Sequence, residues 1–198
     1  KKLIVLDPVT TEIAKLADYH IRLRPGTNVA VLNMMLYFII KHKMYDKKFI
    51  ETRTEGFDTF LKEIERQDVD KLAEVAGVDK QLVKEAAIAY ATANNSMEFH
   101  GLGVTEHEQG SKTVMLIADL AMITGNIGRP GVGVNPLRGQ NNVQGAADMG
   151  CQPHQGAGYF NVADKKVQEF YTAKYGVVHP TKAGLKIPEI FDAAINKE

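Results

Sequence analysis

The chain has 198 residues, enough for one large domain or one and a half, and its 44% hydrophobic and 24% charged content is that of an ordinary soluble globular protein. Its 24 Lys+Arg balance 24 Asp+Glu, so no global charge recruits nucleic acid or an anionic membrane, although a local anion site stays open. A single cysteine, Cys151, excludes an internal disulfide and any multi-cysteine zinc or iron–sulfur site within this sequence.

In chain order, Leu3–Leu6 is a short apolar, β-branched run closed by Asp7-Pro8, the pattern of a buried strand in a parallel sheet. Thr10 or Thr11 caps a short helix through Ala17, and Tyr19–Leu23 alternates as a second strand ended by Arg24-Pro25-Gly26. Thr27 or Asn28 then starts a long helix with Val31, Leu32, Met35, Leu36, Ile39 and Ile40 at helical spacing. The apolar run Val29–Ile40, interrupted by Asn33, is shorter than the roughly 18–20 residues a bilayer span requires, so it reads as a core helix. Helices follow from Asp46, over Phe57–Arg66, over Val69–Val75 with Gly77 as a left-handed stop, and over Lys80–Ala93 from an Asp79 cap. Met97–His100 is a third strand, and Ser111 caps a helix that ends at Gly125. Nine of the 17 glycines lie between Gly125 and Gly158, which marks a long functional loop region rather than a packed layer. Val162–Tyr175 reads as a helix, and the tail beyond Pro180 carries no firm pattern.

The strand–helix alternation predicts an α/β protein: a three-layer α/β/α, Rossmann-like open sheet, mostly parallel, followed by a glycine-rich irregular segment. Residues 1–140 are expected to form a dinucleotide-binding domain, and 141–198 part of an adjacent domain. The chain opens into a strand without an initiator Met or an apolar leader, as an internal piece of a longer cytoplasmic polypeptide would.

Four segments could carry chemistry. Asp7 follows the first strand, where its carboxylate either caps the next turn or accepts hydrogen bonds from a ribose diol or a guanine edge. Arg24-Pro25-Gly26-Thr27-Asn28 is either an ordinary turn with a good helix cap or a phosphate cradle, with Arg24 adding charge and Asn28 an amide. Gly101-Leu102-Gly103-Val104-Thr105-Glu106 joins a strand to a helix; its paired glycines admit a close ligand, but Glu106 stands where G-x-G-x-x-G requires glycine, which argues against a nicotinamide site. Glu106, His107 and Glu108 read more simply as a solvated loop than as metal ligands, and the spacing of Cys151 and His154 is incidental without further ligands.

The fourth segment is the most informative. Arg138 lies among Asn135, Gln140, Asn141, Asn142 and Gln144, with Gly133, Gly139 and Gly145 letting the backbone bend. Its guanidinium fork can hold a carboxylate bidentately, and the dense amides supply donors and acceptors around it. An ordinary surface loop has little use for so many amides about one arginine.

The runs Thr124-Gly125-Asn126-Ile127-Gly128-Arg129-Pro130-Gly131 and Asn135-Pro136-Leu137-Arg138-Gly139-Gln140-Asn141-Asn142-Val143-Gln144-Gly145 closely resemble the catalytic subunit of molybdopterin-dependent formate dehydrogenases. Leu6-Asp7-Pro8, Ala17-Asp18, Leu23–Thr27, Arg53–Phe57 and Gly101–Thr105 fall in the family's order, so the resemblance spans essentially the whole chain. Nitrate reductases share the fold but not the Arg-Gly-Gln-Asn-Asn run, which favours formate. The resemblance implies a molybdenum or tungsten centre held by two molybdopterin guanine dinucleotides. It makes Arg138 the residue that orients formate and places Gly139 and Gln140 beside the pterin. It also implies that Asp7, Gly26, Asn28, Gly101, Leu102, Gly103 and Glu106 line one guanine dinucleotide. Two positions depart from the family pattern: Val9 replaces a common Arg, and Glu106 a common Gln, so Glu106 is expected to face a base or a donor rather than a pyrophosphate.

The family's Cys or selenocysteine metal ligand and the cysteines of its four-iron–four-sulfur cluster lie outside this sequence, and no metal ligand is assigned within it. The implied partners are the rest of the catalytic subunit, electron-transfer subunits and formate, with no nucleic acid and no membrane contact by this segment. The piece alone is expected to be inactive. The competing readings are another molybdopterin oxidoreductase, similar to nitrate reductase or formylmethanofuran dehydrogenase, or a non-catalytic nucleotide-binding module.

Overall fold

The computed structural model describes residues 1–197. It divides into two compact units, Lys1–Leu137 and a second that begins at Arg138. In the first unit the elements are β1 (Ile4–Leu6), α1 (Glu12–Lys15), β2 (Tyr19–Ile21), α2 (Asn28–Lys41), α3 (Lys47–Arg53), α4 (Phe57–Glu65), α5 (Val69–Ala76), α6 (Lys80–Thr92), β3 (Met97–His100), α7 (Leu102–Thr105), α8 (Gly110–Ile123) and β4 (Gly133–Pro136). The second unit holds α9 (Val143–Asp148), a 3-10 turn (Ala157–Tyr159), α10 (Lys165–Tyr175) and α11 (Ile187–Asn196).

The caps follow the sequence logic. Asp46, Asp68, Asp79 and Thr11 each accept a backbone N–H in the first turn of the helix they precede. Gly77 ends α5 at φ 66°, a left-handed conformation, and a Cβ there would sit 2.8 Å from Arg24 Nε. At α8 the N-terminus differs from the expected Ser111 cap: the helix starts at Gly110 after Gln109, which makes no side-chain capping bond. Close packing of α7 on α8 is the reason, since a Cβ on Gly110 would lie 2.3 Å from Thr105 O.

α2 organises the first unit. Ala30, Val31, Leu32, Met34, Met35, Leu36, Phe38, Ile39 and Ile40 are all buried, so the helix is enclosed on nearly every side rather than along one stripe. It packs against α4, α5, α6 and α8, and the buried core continues through Ile50, Ile64, Val83, Ala86, Ala87, Ile117, Leu120 and Ile123.

The α/β expectation holds in its strand–helix alternation and in its strand polarity. β1 pairs with β2 in parallel (Ile4 opposite Tyr19, Leu6 opposite Ile21), and β3 with β4 in parallel (Met97 opposite Gly133, His100 opposite Pro136). Among the described residues these are two separate two-stranded sheets. β4 lies within the stretch expected to be loop.

The Thr124–Arg129 motif explains how β4 is delivered to β3. Asn126 is 1% exposed, and its Oδ1 accepts the N–H of Ser96 and an Arg129 N–H, while its Nδ2 donates to Thr124 Oγ1. Arg129 also donates to Gly125 O, Asn94 O and Asn95 Oδ1. This clamp ties the end of α8 to the turn between α6 and β3. The motif's role in this chain is therefore structural.

Candidate functional site

Two groups of expected site residues are described separately, because they lie in different units. In the first unit, the turn after β2 delivers the N-terminus of α2. Gly26 adopts φ 83° and a Cβ there would meet nothing within 4 Å, so the turn is open on that side. Thr27 Oγ1 donates to Arg24 O instead of capping the helix. The first N–H groups of α2 thus have no side-chain cap, and the first turn carries no acidic residue. Asn28 Nδ2 reaches Gly103 O at 3.5 Å, which brings the Gly101–Thr105 segment against this helix start across 75 residues of sequence.

Gly101 precedes α7 in an extended-like conformation, with its Cβ position 3.3 Å from Leu137 O. Leu102 and Gly103 are exposed in α7, and Glu106 is exposed just after it, its N–H donating to Leu102 O. Uncapped amides with the helix dipole behind them, an open glycine turn and a carboxamide suit a phosphate or a sugar–phosphate. The chemistry of these residues fits a phosphate-bearing group.

Arg24 is engaged by the end of α5. Its NH1 donates to Glu74 O and Val75 O, so the guanidinium satisfies carbonyls at the end of α5. Asp7 Oδ1 accepts the N–H of Val9 at 2.7 Å, the turn-capping arrangement, and its backbone carbonyl contacts His20 Nε2 at 3.0 Å. Its second carboxylate oxygen takes no hydrogen bond from the described residues.

In the second unit, Arg138, Gly139 and Gln140 are exposed. Arg138 NH2 donates to Gln144 Oε1 at 3.4 Å, which leaves most of the fork free. Gln144 Nε2 donates to Asp148 Oδ1 at 2.9 Å and to Tyr159 Oη at 2.6 Å, and Tyr159 Oη donates to Asp148 Oδ1. Hydrogen bonds from Tyr159 and then Gln144 hold the Asp148 carboxyl below its usual range, and the bond to Asp148 raises the Tyr159 phenol.

The sequence reading singled out Gln144 only as one of several amides, and missed Asp148 and Tyr159. The i,i+4 spacing of Gln144 and Asp148 on one helix was available as a signal; nothing in the sequence ties Tyr159 to them. It also missed two polar side chains at alternate positions of β3, half-buried Glu98 and buried His100. Glu98 Oε1 accepts the Tyr90 hydroxyl, burial pushes its carboxyl up to about 8, and burial lowers the His100 imidazole. Glu98 Oε2 and His100 Nδ1 are buried without a partner. Among the described residues no group of three or more His, Cys, Asp or Glu could hold a metal, and Cys151 is exposed. No described helix is long and apolar enough to cross a membrane.

A family model described as Molybdopterin oxidoreductase matches residues 1–187, and the chain belongs to that family. Within it, the chain is similar to formate dehydrogenase catalytic subunits. It is 42% identical over 198 residues to Formate dehydrogenase H of Escherichia coli (strain K12), covering 100% of this chain and 28% of that protein. It is 44% identical over 193 residues to the F420-dependent formate dehydrogenase subunit alpha of Methanocaldococcus jannaschii, covering 96% of this chain and 28% of that one. The chain therefore spans about 28% of the length of these curated relatives. Among solved structures, the acetylene hydratase from Pelobacter acetylenicus matches with a TM-score of 0.62 and 30% identity over 66% of this chain and 18% of that one.

Proposed function

We propose that this chain is an internal part of the catalytic subunit of a cytoplasmic formate dehydrogenase, which oxidises formate to CO2 at a bis-pterin molybdenum or tungsten centre. Residues 1–140 act as the dinucleotide-binding domain and 141–198 as part of its neighbour. The observation that carries the reading is Arg138: an exposed guanidinium in the Arg-Gly-Gln-Asn-Asn run, with only the neutral Gln144 oxygen against it. A carboxylate neighbour would neutralise it; an amide leaves the full positive charge for an anionic substrate.

When bound, the metal–pterin centre would supply the two-electron sink for formate oxidation (HCOO⁻ → CO2 + H⁺ + 2e⁻), with an iron–sulfur cluster outside these residues as the onward electron acceptor. Arg138 holds and orients the formate carboxylate through that step, and Gly139 and Gln140 border the pterin. Gly26, Asn28 and the Gly101–Glu106 segment cradle one guanine dinucleotide, with the amides at the start of α2 facing phosphate and Glu106 facing a base or donor. Asp7 contributes its second carboxylate oxygen. Electron-transfer subunits complete the enzyme, as the name "subunit alpha" of a relative suggests.

The acetylene hydratase likeness supports the fold and leaves the reaction open, since one fold hosts several chemistries. The test is therefore made in the full-length enzyme. Arg138→Ala is expected to lower formate oxidation by roughly 10²–10³, the scale for losing one positioned electrostatic group, with cofactor content unchanged. Near-normal formate oxidation by that variant would sink the assignment.

A further inference from the structure

We propose that Asp148, Tyr159 and Gln144 form a positioning chain that fixes the direction of the Arg138 guanidinium and thereby sets the enzyme's affinity for the substrate carboxylate; this rests on Arg138 being the residue that holds it. Donor and acceptor counting fixes the chain's polarity. An ionised carboxylate only accepts, so Asp148 Oδ1 must receive from both of its partners. Tyr159 gives its one proton to Asp148, so its oxygen is left to accept from Gln144. Both donor contacts of the Gln144 amide then point toward Asp148 and Tyr159. A flip of that amide would set its oxygen against the Asp148 carboxylate. Gln144 Oε1 has one remaining direction, toward Arg138 NH2.

The turn that carries Tyr159 is braced by its neighbours. Tyr159 adopts φ 66°, rare for a side-chain-bearing residue, directly after Gly158 at φ 76°. The turn is held by Tyr171, 3% exposed, whose hydroxyl donates to Ala157 O at 2.7 Å. Gly156 lies so close to Tyr171 that a Cβ there would be 2.6 Å from its hydroxyl. A strained backbone braced by a buried aromatic ring is a costly way to place an ordinary surface tyrosine, and it aims the hydroxyl at the Gln144–Asp148 pair.

The test uses the full-length enzyme, with formate kinetics and competitive inhibition by acetate as a non-oxidisable carboxylate. Tyr159→Phe removes one donor and one acceptor. It is expected to raise the formate KM and the acetate inhibition constant together, by about threefold to tenfold, the range for one lost hydrogen bond, with a smaller change in kcat. Gln144→Glu, which sets a carboxylate against Arg138, is expected to raise both by more than Tyr159→Phe does. In an Arg138→Lys background, where no fork remains to be aimed, Tyr159→Phe should have no further effect. An equal effect of Tyr159→Phe in both backgrounds would mark a general structural role and overturn the proposal. So would unchanged KM and acetate inhibition in Tyr159→Phe alongside a disabled Arg138→Ala. Should Tyr159→Phe fail to accumulate, Asp148→Asn, which removes the carboxylate that orients Tyr159 and Gln144, decides by the same comparison in the two backgrounds. Near-normal Arg138→Ala activity instead defeats the parent reading and is read separately.

Discussion

The two units solve the problem of burying apolar surface differently. In the first, α2 places Val31, Met34 and Leu36 at 0% exposure, and four other helices close around it. In the second, the buried hydrophobic residues among those described are Ala147 and Tyr171, while Ile187, Ile190, Phe191 and Ile195 of α11 are exposed. Its order comes from aromatic contacts among Phe160, Phe170, Tyr171, Tyr175 and His179, with ring centroids 5.1–6.5 Å apart, and from the polar chain at Arg138. A packed apolar core resists change by volume, whereas a polar network aims side chains by donor–acceptor matching. The unit with the weaker core is the one that carries Arg138, the arginine proposed to hold the substrate carboxylate.

The largest expected effect tests the core directly. Leu36→Ala should cost about 3–4 kcal/mol in urea unfolding of the chain, the range for a fully enclosed leucine, while Phe191→Ala on α11 should stay within about 0.5 kcal/mol. Comparable losses for the two would erase the contrast between the units. Next comes the clamp: Asn126→Ala leaves the Ser96 N–H and an Arg129 N–H without their acceptor and should cost about 2–3 kcal/mol in the same measurement. A loss under about 0.5 kcal/mol would show that the motif does not hold β4 in place.

The smallest effect is pH-dependent. Burial raises the Glu98 carboxyl from an ordinary 4.5 to about 8, so the folded chain binds this proton more tightly than the unfolded chain does. Its contribution is therefore fully present below about pH 4.5, and it falls as pH rises from there to about 8. Glu98→Gln should flatten that part of the stability–pH curve and gain on the order of 1–2 kcal/mol at pH 8, after allowance for solvent screening. An unchanged slope in unfolding measured at several pH values would mean that Glu98 is not held in its neutral form.

Legibility followed the range of the interactions. The caps at Asp46, Asp79 and Thr11 and the stop at Gly77 are contacts within a few residues, and local chemistry predicts them well. The periodicity of α2 was visible, but periodicity could not tell that both its faces are buried. β4 escaped because Gly-Val-Asn-Pro has weak strand propensity and owes its state to pairing with Met97–His100, 36 residues away in register. At the site, the glycine-and-amide density around Arg138 was legible because such composition has little use in a core. The meeting of Asn28 with Gly103, and of Tyr159 with Gln144, was not.

The sequence by itself determined the helix ends marked by the Asp46 and Asp79 caps and the Gly77 stop, the α/β class, the family through its Arg138 and Thr124–Arg129 runs, and the absence of any charge bias toward nucleic acid. Those properties depend on residue type and short-range spacing. Only the tertiary structure decided that Arg24 serves the end of α5, that the Asn126–Arg129 run is a clamp, and that Asp148 and Tyr159 stand behind Arg138. A hydrogen bond between distant residues depends on where the packed chain sets both partners, and no local pattern encodes that.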